Sequence, residues 1–473
     1  MTEPVRHDAP SLAALLERQR QAFLVDPLPS LAVRRDRLCR LAALLREHQD
    51  EISAAIDVDF AGRPPTETAL LEIFPSLEGL AHARRHLARW MRDERRRVSL
   101  WFLPGRAELR WQPLGVIGVI VPWNYPLYLA VGPLTAALAA GNRAMVKMSE
   151  HTPRFSALFA RLVAARFAAD ELVVVEGDAV VAQAFAALPF DHLLFTGSTA
   201  VGRQVMRTAA DSLTPVTLEL GGKSPVLVAP GFDLALAARR IAHAKLLNAG
   251  QTCVAPDYVL VRRGEEERFV AALRRAAGAL FGDGRTPDYA AIISDRQRAR
   301  LQALLDQARA LGARCVPLLG DGAPLAGRHL LPQALLDVPP EADVMREEIF
   351  GPLLPVLPYD DVDGALDFIN ARPRPLALYL FDDDRARIDR CIAATRSGGV
   401  TVNDCMLHVA QDDLPFGGIG DSGVGHYHGA EGFRTFSKAR PVFRQGRFSA
   451  LPLLAPPYGE RTRRLLALML GRR

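Results

Sequence analysis

Cysteine is scarce in this 473-residue chain: Cys39, Cys253, Cys315, Cys391 and Cys405 are far apart and odd in number. No two stand at metal-ligand spacing, which excludes a disulfide-stapled scaffold and a thiolate metal site, so no metal is expected. Long apolar runs are missing as well. Nothing reaches the roughly 18 residues needed for a membrane-spanning helix. Met1–Pro10 is polar and lacks the apolar core of a secretory signal. The apolar stretch Leu465–Leu470, closed by Gly471-Arg472-Arg473, is too short for an anchor and reads as a packed arm or a weak surface contact. Charge of one sign is not in excess: 58 basic against 53 acidic residues leave a net charge of +5. Its local clusters, Arg84, Arg85, Arg89, Arg92 and Arg95–Arg97 and then Arg461, Arg463, Arg464, Arg472 and Arg473, come without a nucleic-acid recognition motif and read as solvated faces. Neither an internal repeat nor a low-complexity segment is present. The expectation is a cytoplasmic protein with no nucleic-acid partner and no stable membrane insertion.

What is present is globular: 49% hydrophobic and 23% charged residues, in a chain long enough for two or three domains. The first hundred residues carry helical periodicity, with Leu38, Leu41, Leu45, Ile52 and Ile56 and then Ile73, Leu77, Leu80, Leu87 and Met91 at three- and four-residue steps. Pro104-Gly105 breaks it. From Val116 short apolar strands alternate with helical stretches: 116–121, 144–147, 172–175, 192–196 and 216–219. A second block follows with strands at 225–228, 258–261, 353–356, 377–381 and 400–403. Strands apolar throughout and spaced by helices indicate a parallel sheet covered on both faces. The fold class expected is α/β, a doubly wound cofactor domain followed by a second α/β domain.

Two residues carry the chemistry. Cys253 ends Gly250-Gln251-Thr252-Cys253 in a loop before a strand, where a thiol can be exposed and its pKa lowered. Glu219 closes a strand and opens Glu219-Leu220-Gly221-Gly222-Lys223. A thiolate that holds an acyl group and a carboxylate that activates water together fit aldehyde oxidation through a thioester. A buried structural cysteine and a surface carboxylate are the ordinary alternatives. Asn124, in Pro122-Trp123-Asn124-Tyr125-Pro126, could donate to an oxyanion or be a plain turn residue. The turn Gly197-Ser198-Thr199-Ala200-Val201-Gly202 lies between a strand and a helix, where Ser198 would cap the helix and its N-terminus could hold pyrophosphate. Lys147 and Glu150 follow the second strand and could grip the adenosine ribose; a carboxylate there repels a 2′-phosphate and favours NAD over NADP. Glu348 and Phe350, in Glu347-Glu348-Ile349-Phe350-Gly351-Pro352, could meet the nicotinamide ribose and ring, or belong to a solvated loop.

These motifs, in this order, resemble the aldehyde dehydrogenase superfamily from about Leu12 to Phe443, together with Phe195-Thr196-Gly197-Ser198 and Pro415-Phe416-Gly417-Gly418. Cys253-Val254-Ala255-Pro256-Asp257-Tyr258 and Gly425-His426-Tyr427-His428-Gly429 resemble the class 3 branch. Gln411-Asp412-Asp413-Leu414-Pro415-Phe416-Gly417-Gly418 and Asp191-His192-Leu193-Leu194-Phe195 are similar to its bacterial coniferyl aldehyde group. The resemblance implies Cys253 as nucleophile, Glu219 as base and Asn124 as oxyanion donor. It implies a cofactor cleft lined by Trp123, Lys147, Glu150, Gly177, Gly197, Ser198, Gly202, Glu348 and Phe350, and a substrate pocket with Tyr125, Phe416 and His428. It further implies a cofactor domain (1–99 and 119–222), a catalytic domain (223–411), a small β bridging element (100–118 and 412–445), a C-terminal arm (446–473) and a homodimer. NAD is the expected cofactor, with NADP also accepted in this branch. Met148 departs from the branch, which has proline there, yet Lys147 and Glu150 remain. The reaction implied is oxidation of an aromatic aldehyde, coniferyl aldehyde to ferulate. The alternatives are a medium- or long-chain fatty aldehyde, transfer of the acyl group to coenzyme A, a catalytically silent binding protein and a papain-like hydrolase.

Overall fold

The computed structural model describes residues 8–449 and 451–471. Most of the polar Met1–Pro10 segment and the terminal Arg472 and Arg473 lie outside the described residues. The periodic N-terminal stretches are helices Ala9–Val25, Leu31–Glu47, Gln49–Phe60 and Phe74–Trp90. Ser30 starts the second of them by accepting the N–H of Val33. Its apolar face, with Leu38, Leu41, Leu44 and Leu45 buried, joins the main core, each such leucine contributing about 1.5–3 kcal/mol.

The first block of strands forms a six-stranded sheet in the order Gly423–Val424, Val216–Glu219, His192–Thr196, Val116–Ile120, Arg143–Lys147, Leu172–Val175. Five strands are parallel. Val116–Ile120, Arg143–Lys147 and His192–Thr196 are buried on both faces, as continuous apolar strands require. Gly423–Val424 runs antiparallel and sets Gly423 opposite Glu219, so the sheet is parallel except for an edge strand supplied by a distant segment. The chain builds outward from Val116–Ile120 on one side and returns to its other side at His192–Thr196. That reversal opens a crevice at the carboxyl ends of these two strands, where a doubly wound fold binds ligands.

The second block forms a seven-stranded sheet: Arg314–Pro317, Gln333–Leu336, Leu353–Tyr359, Tyr258–Arg262, Pro225–Val228, Ala377–Phe381, Gly399–Val402. Only the first pair is antiparallel. A third, antiparallel sheet joins Glu94–Arg96, Arg106–Pro113 and Ser437–Arg444. The arginines at 85, 89, 92 and 95–97 are exposed and Arg84 half-buried. Among the described residues no helix is long and apolar enough to cross a membrane.

Candidate active site

The loop carrying Cys253 is held from several directions. Gln251 donates from Nε2 to the carbonyls of Asn248 (2.9 Å) and Ala291 (3.0 Å), and its Oε1 accepts the N–H of Ile293 (2.9 Å). Asn248, Ala249 and Gly250 are all left-handed, with φ of 50°, 50° and 74°. Glu67 stabilises that unfavourable run by accepting the N–H of Asn248 at 3.1 Å. At Gly250 a side chain is excluded outright, because a Cβ would strike the carbonyl of Gly351. Beyond the cysteine, the Tyr379 hydroxyl donates to the carbonyl of Val254.

Glu219 ends its strand facing this loop. It is 2% exposed, and neither carboxylate oxygen has a hydrogen-bond partner among the described residues; a surface carboxylate is therefore ruled out. Burial alone holds its carboxyl well above the usual range. Glu348 converges on the same place. Its carboxylate lies where a side chain at Gly221 would be, and the Gly222 N–H faces it. Burial, with Asp257 nearby, lifts Glu348 to about 8, and one of its oxygens is unpartnered. The segment presenting it is clamped by Lys223, whose Nζ meets Asp257 Oδ2 (2.5 Å) and donates to the carbonyls of Val344 (2.7 Å) and Glu347 (3.0 Å), while Asp257 Oδ1 accepts the N–H of Ile349 (3.0 Å).

The Cys253 thiol is only partly exposed, and its pKa is pushed up to about 12, by burial first and then by the charges of Glu348 and Glu219. This corrects the expectation of a lowered pKa: the loop delivers the sulfur into a desolvated pocket with two carboxylates rather than to a cationic or helix-terminal setting. Both carboxylates are near enough for their charge to act on the sulfur. The N–H groups of Cys253 and Val254 pull weakly the other way.

Asn124 is 3% exposed and lies beside the cysteine loop, its Nδ2 donating to the carbonyl of Gln251 at 3.2 Å. Its own carbonyl accepts from Arg63 Nη1 and Asn248 Nδ2, both at 3.1 Å. Arg63 forms an ion pair of 2.7 Å with Glu72, both side chains fully buried, and Glu72 also accepts the N–H groups of Leu127 and Tyr128. Arg63, Glu67, Glu72 and Asn248 escaped the sequence reading. No local pattern marks them, because the contacts that tie them to the site, to Asn124, Leu127 and the cysteine loop, span 55 to 181 residues.

The remaining expected positions fall into two groups. Toward the carboxyl edge of the six-stranded sheet, Trp123 meets Phe350 edge-on at 5.3 Å. Phe350 itself is left-handed (φ 52°). Lys147 is buried and donates to the carbonyls of Met148 (2.7 Å) and Gly177 (2.8 Å). Glu150 is exposed, and no ion pair joins it to Lys147 among the described residues. Ser198 caps helix Thr199–Ala210, accepting the N–H of Val201, and Gly197 donates to the carbonyl of Glu219 at 3.0 Å. Side chains at Gly177, Gly197 and Gly202 would collide with Val181, Phe195 and Leu220. A helix N-terminus with free N–H groups, close backbone approach and an unpartnered Glu348 oxygen fit the pyrophosphate and ribose of a dinucleotide.

On the other side of Cys253 lie the aromatic positions. The Tyr125 hydroxyl is 2.6 Å from Thr252 Oγ1. Phe416 stacks on His428 at 5.4 Å, and His428 Nε2 is 3.4 Å from the hydroxyl of Tyr128. Burial lowers His428 to about 4, leaving it neutral. Tyr128 and Tyr427, also missed, meet the His428 ring edge-on at 6.2 Å and 4.6 Å and extend this aromatic group.

Comparison with known proteins is consistent across the chain. The model of the aldehyde dehydrogenase family matches residues 9–442. The chain is 53% identical to a probable coniferyl aldehyde dehydrogenase of Pseudomonas aeruginosa, covering 96% of this chain and 95% of that protein. It is 45% identical to the coniferyl aldehyde dehydrogenase of Pseudomonas sp. strain HR199, over 98% and 97%. The solved structure of the substrate-bound state of Staphylococcus aureus AldH superposes with a TM-score of 0.91 at 34% identity, over 96% of this chain and 99% of that one. A thiol and two buried carboxylates meeting at a dinucleotide crevice agree with that likeness, and the chain belongs to the aldehyde dehydrogenase family of NAD(P)-dependent oxidoreductases.

Proposed function

We propose that this enzyme oxidises an aromatic aldehyde, coniferyl aldehyde, to its carboxylic acid through a thioester on Cys253. The observation that supports the reading is the buried, unpartnered carboxyl of Glu219, whose charge acts on the Cys253 sulfur. The sulfur adds to the carbonyl carbon. Because its proton is held tightly, proton loss to water accompanies S–C bond formation, so acylation speeds up with pH. Negative charge on the former carbonyl oxygen is received by the Asn124 amide and the Cys253 N–H. Collapse of this adduct expels hydride from the same carbon and leaves the thioester. NAD(P), when bound, accepts that hydride. Glu219 then removes a proton from water as it adds to the thioester, and the acid leaves with regeneration of the thiol.

Trp123, Lys147, Glu150, Gly177, Gly197, Ser198, Gly202, Glu348 and Phe350 would hold the dinucleotide, with Glu150 favouring NAD. Tyr125, Phe416 and His428 would line the aldehyde pocket, where their rings suit an aryl substrate. The similar Pseudomonas proteins are a probable coniferyl aldehyde dehydrogenase and a coniferyl aldehyde dehydrogenase, which supports the same substrate here. A homodimer in the cytoplasm completes the proposal, supported by the free edges of the antiparallel sheet and by five unpaired cysteines. The deciding experiment compares kcat/KM for coniferyl aldehyde, benzaldehyde and octanal. Preference for coniferyl aldehyde supports the reading, and preference for octanal replaces it with a fatty-aldehyde enzyme.

A further inference from the structure

Beyond the aromatic group around His428 lies a small cavity of about 30 Å³ lined in part by Ser76, Trp90, Tyr128, Asp412 and His428. That is room for one or two groups the size of a water molecule, enough for a hydroxyl and too little for a ring. Its walls hold more hydrogen-bonding capacity than the protein uses. Ser76 Oγ, Trp90 Nε1 and His428 Nδ1 have no partner among the described residues, although the three residues are 2%, 8% and 8% exposed. Buried polar atoms left unpaired cost about 1–3 kcal/mol each, so their gathering around one space calls for a ligand. The Asp412 carboxylate makes no hydrogen bond or ion pair among the described residues either; burial, with Glu78 and Asp413 close by, raises it to about 6. The cavity also adjoins the reaction pocket. Tyr128 and His428 line the cavity, and His428 stacks on Phe416 of the proposed aldehyde pocket.

We infer that this cavity receives the 4-hydroxyl of a 4-hydroxyaryl aldehyde, with Asp412 and His428 Nδ1 accepting its proton in a hydrogen bond and Trp90 Nε1 and Ser76 donating to its oxygen. The inference rests on the aryl-aldehyde reading and adds the specificity determinants to it. With the aldehyde carbon at Cys253 and the ring along Tyr125, Tyr128 and Phe416, the distal hydroxyl is the only polar group a phenolic aldehyde must bury at its far end. Ser76 and Trp90 come from a helix outside the quoted motifs, and Asp412 stands four residues before Phe416 in a motif that by itself gives the carboxylate no role.

The test compares coniferyl aldehyde with its 4-deoxy analogue, 3-methoxycinnamaldehyde, in the wild-type enzyme and in Asp412→Ala, Asp412→Asn and Ser76→Ala. Because the readout is a ratio of kcat/KM within one enzyme, a general loss of folded protein cancels. The wild type should prefer the hydroxylated substrate about 10–100-fold, as expected for hydrogen bonds to a partly buried charged group. Asp412→Ala should bring the ratio close to unity, Asp412→Asn should keep part of it by retaining an acceptor, and Ser76→Ala should lower it by a smaller factor. The loss should appear in KM, since the contact lies far from the reacting carbon. Equal turnover of the two substrates by the wild type, or a ratio unchanged in Asp412→Ala, overturns this inference alone. Turnover of octanal and of neither aryl aldehyde overturns the proposed substrate as well.

Discussion

Replacing Glu219 by glutamine separates the two halves of the proposed reaction. The side chain is 2% exposed and its oxygens make no hydrogen bonds among the described residues, so an amide of the same shape breaks no contact. Its buried amide replaces a carboxyl whose pKa burial holds well above the usual range. Folding stability should therefore change by no more than about 1 kcal/mol. Catalysis should change far more. Loss of a positioned base slows its step by about 10²- to 10⁴-fold, equivalent to about 3–5 kcal/mol of barrier. In stopped-flow mixing with saturating aldehyde and NAD, the variant should release one burst of NADH stoichiometric with enzyme and then nearly stall. The reasoning fails if steady turnover is unaffected. It fails equally if the burst disappears together with steady turnover, since Glu219 would then be needed before hydride leaves.

Cys253→Ala should abolish NADH formation while the cofactor still binds, as calorimetry can check; retained turnover would refute the role of the sulfur. Arg63→Met leaves Glu72 fully buried with only two backbone donors, and should lower stability by about 3–5 kcal/mol in urea unfolding. The double variant Arg63→Met with Glu72→Met should recover much of that loss, and no recovery would show that the pair is not the cause. Glu348 titrates at about 8. A neutral carboxyl accepts weakly from ribose hydroxyls and an ionised one strongly, so the NAD dissociation constant should fall as pH rises from about 7 to about 9. A flat or opposite profile would remove Glu348 from the cofactor contacts. Gly221→Ala sets a methyl group against the Glu348 carboxylate and should raise KM for NAD more than KM for the aldehyde, whereas equal effects would point to general distortion.

Much of this architecture is legible in the sequence because its signals are local. The strands around Val116, Leu172, His192, Val216 and Pro225 are short apolar runs bounded by turn residues, and they occur within a residue or two of the expected places. The strands Arg314–Pro317, Gln333–Leu336, Arg106–Pro113 and Ser437–Arg444 did not emerge one by one from the pattern. Three of them contain proline and Gln333–Leu336 is only four residues long, so their pairing partners define them more than their composition does. Cys253, Glu219 and Asn124 could be brought together from motif order, and in the fold Asn124 bonds the cysteine loop while the charge of Glu219 acts on the sulfur. The direction of the thiol's pKa could not be foreseen, because it depends on how deeply the loop sinks and on a carboxylate, Glu348, that arrives from 95 positions farther along the chain. The Arg63–Glu72 pair that steadies Asn124 was hidden for the same reason: its meaning lies in tertiary contacts alone.

The central claim is a covalent acyl group on one named sulfur. Glu219→Gln enzyme should be mixed with coniferyl aldehyde and NAD, quenched in acid, digested and analysed by peptide mass spectrometry. The account requires a feruloyl group on the peptide containing Cys253 and on none of the peptides containing Cys39, Cys315, Cys391 or Cys405. NADH release without any acyl group on Cys253 would contradict it.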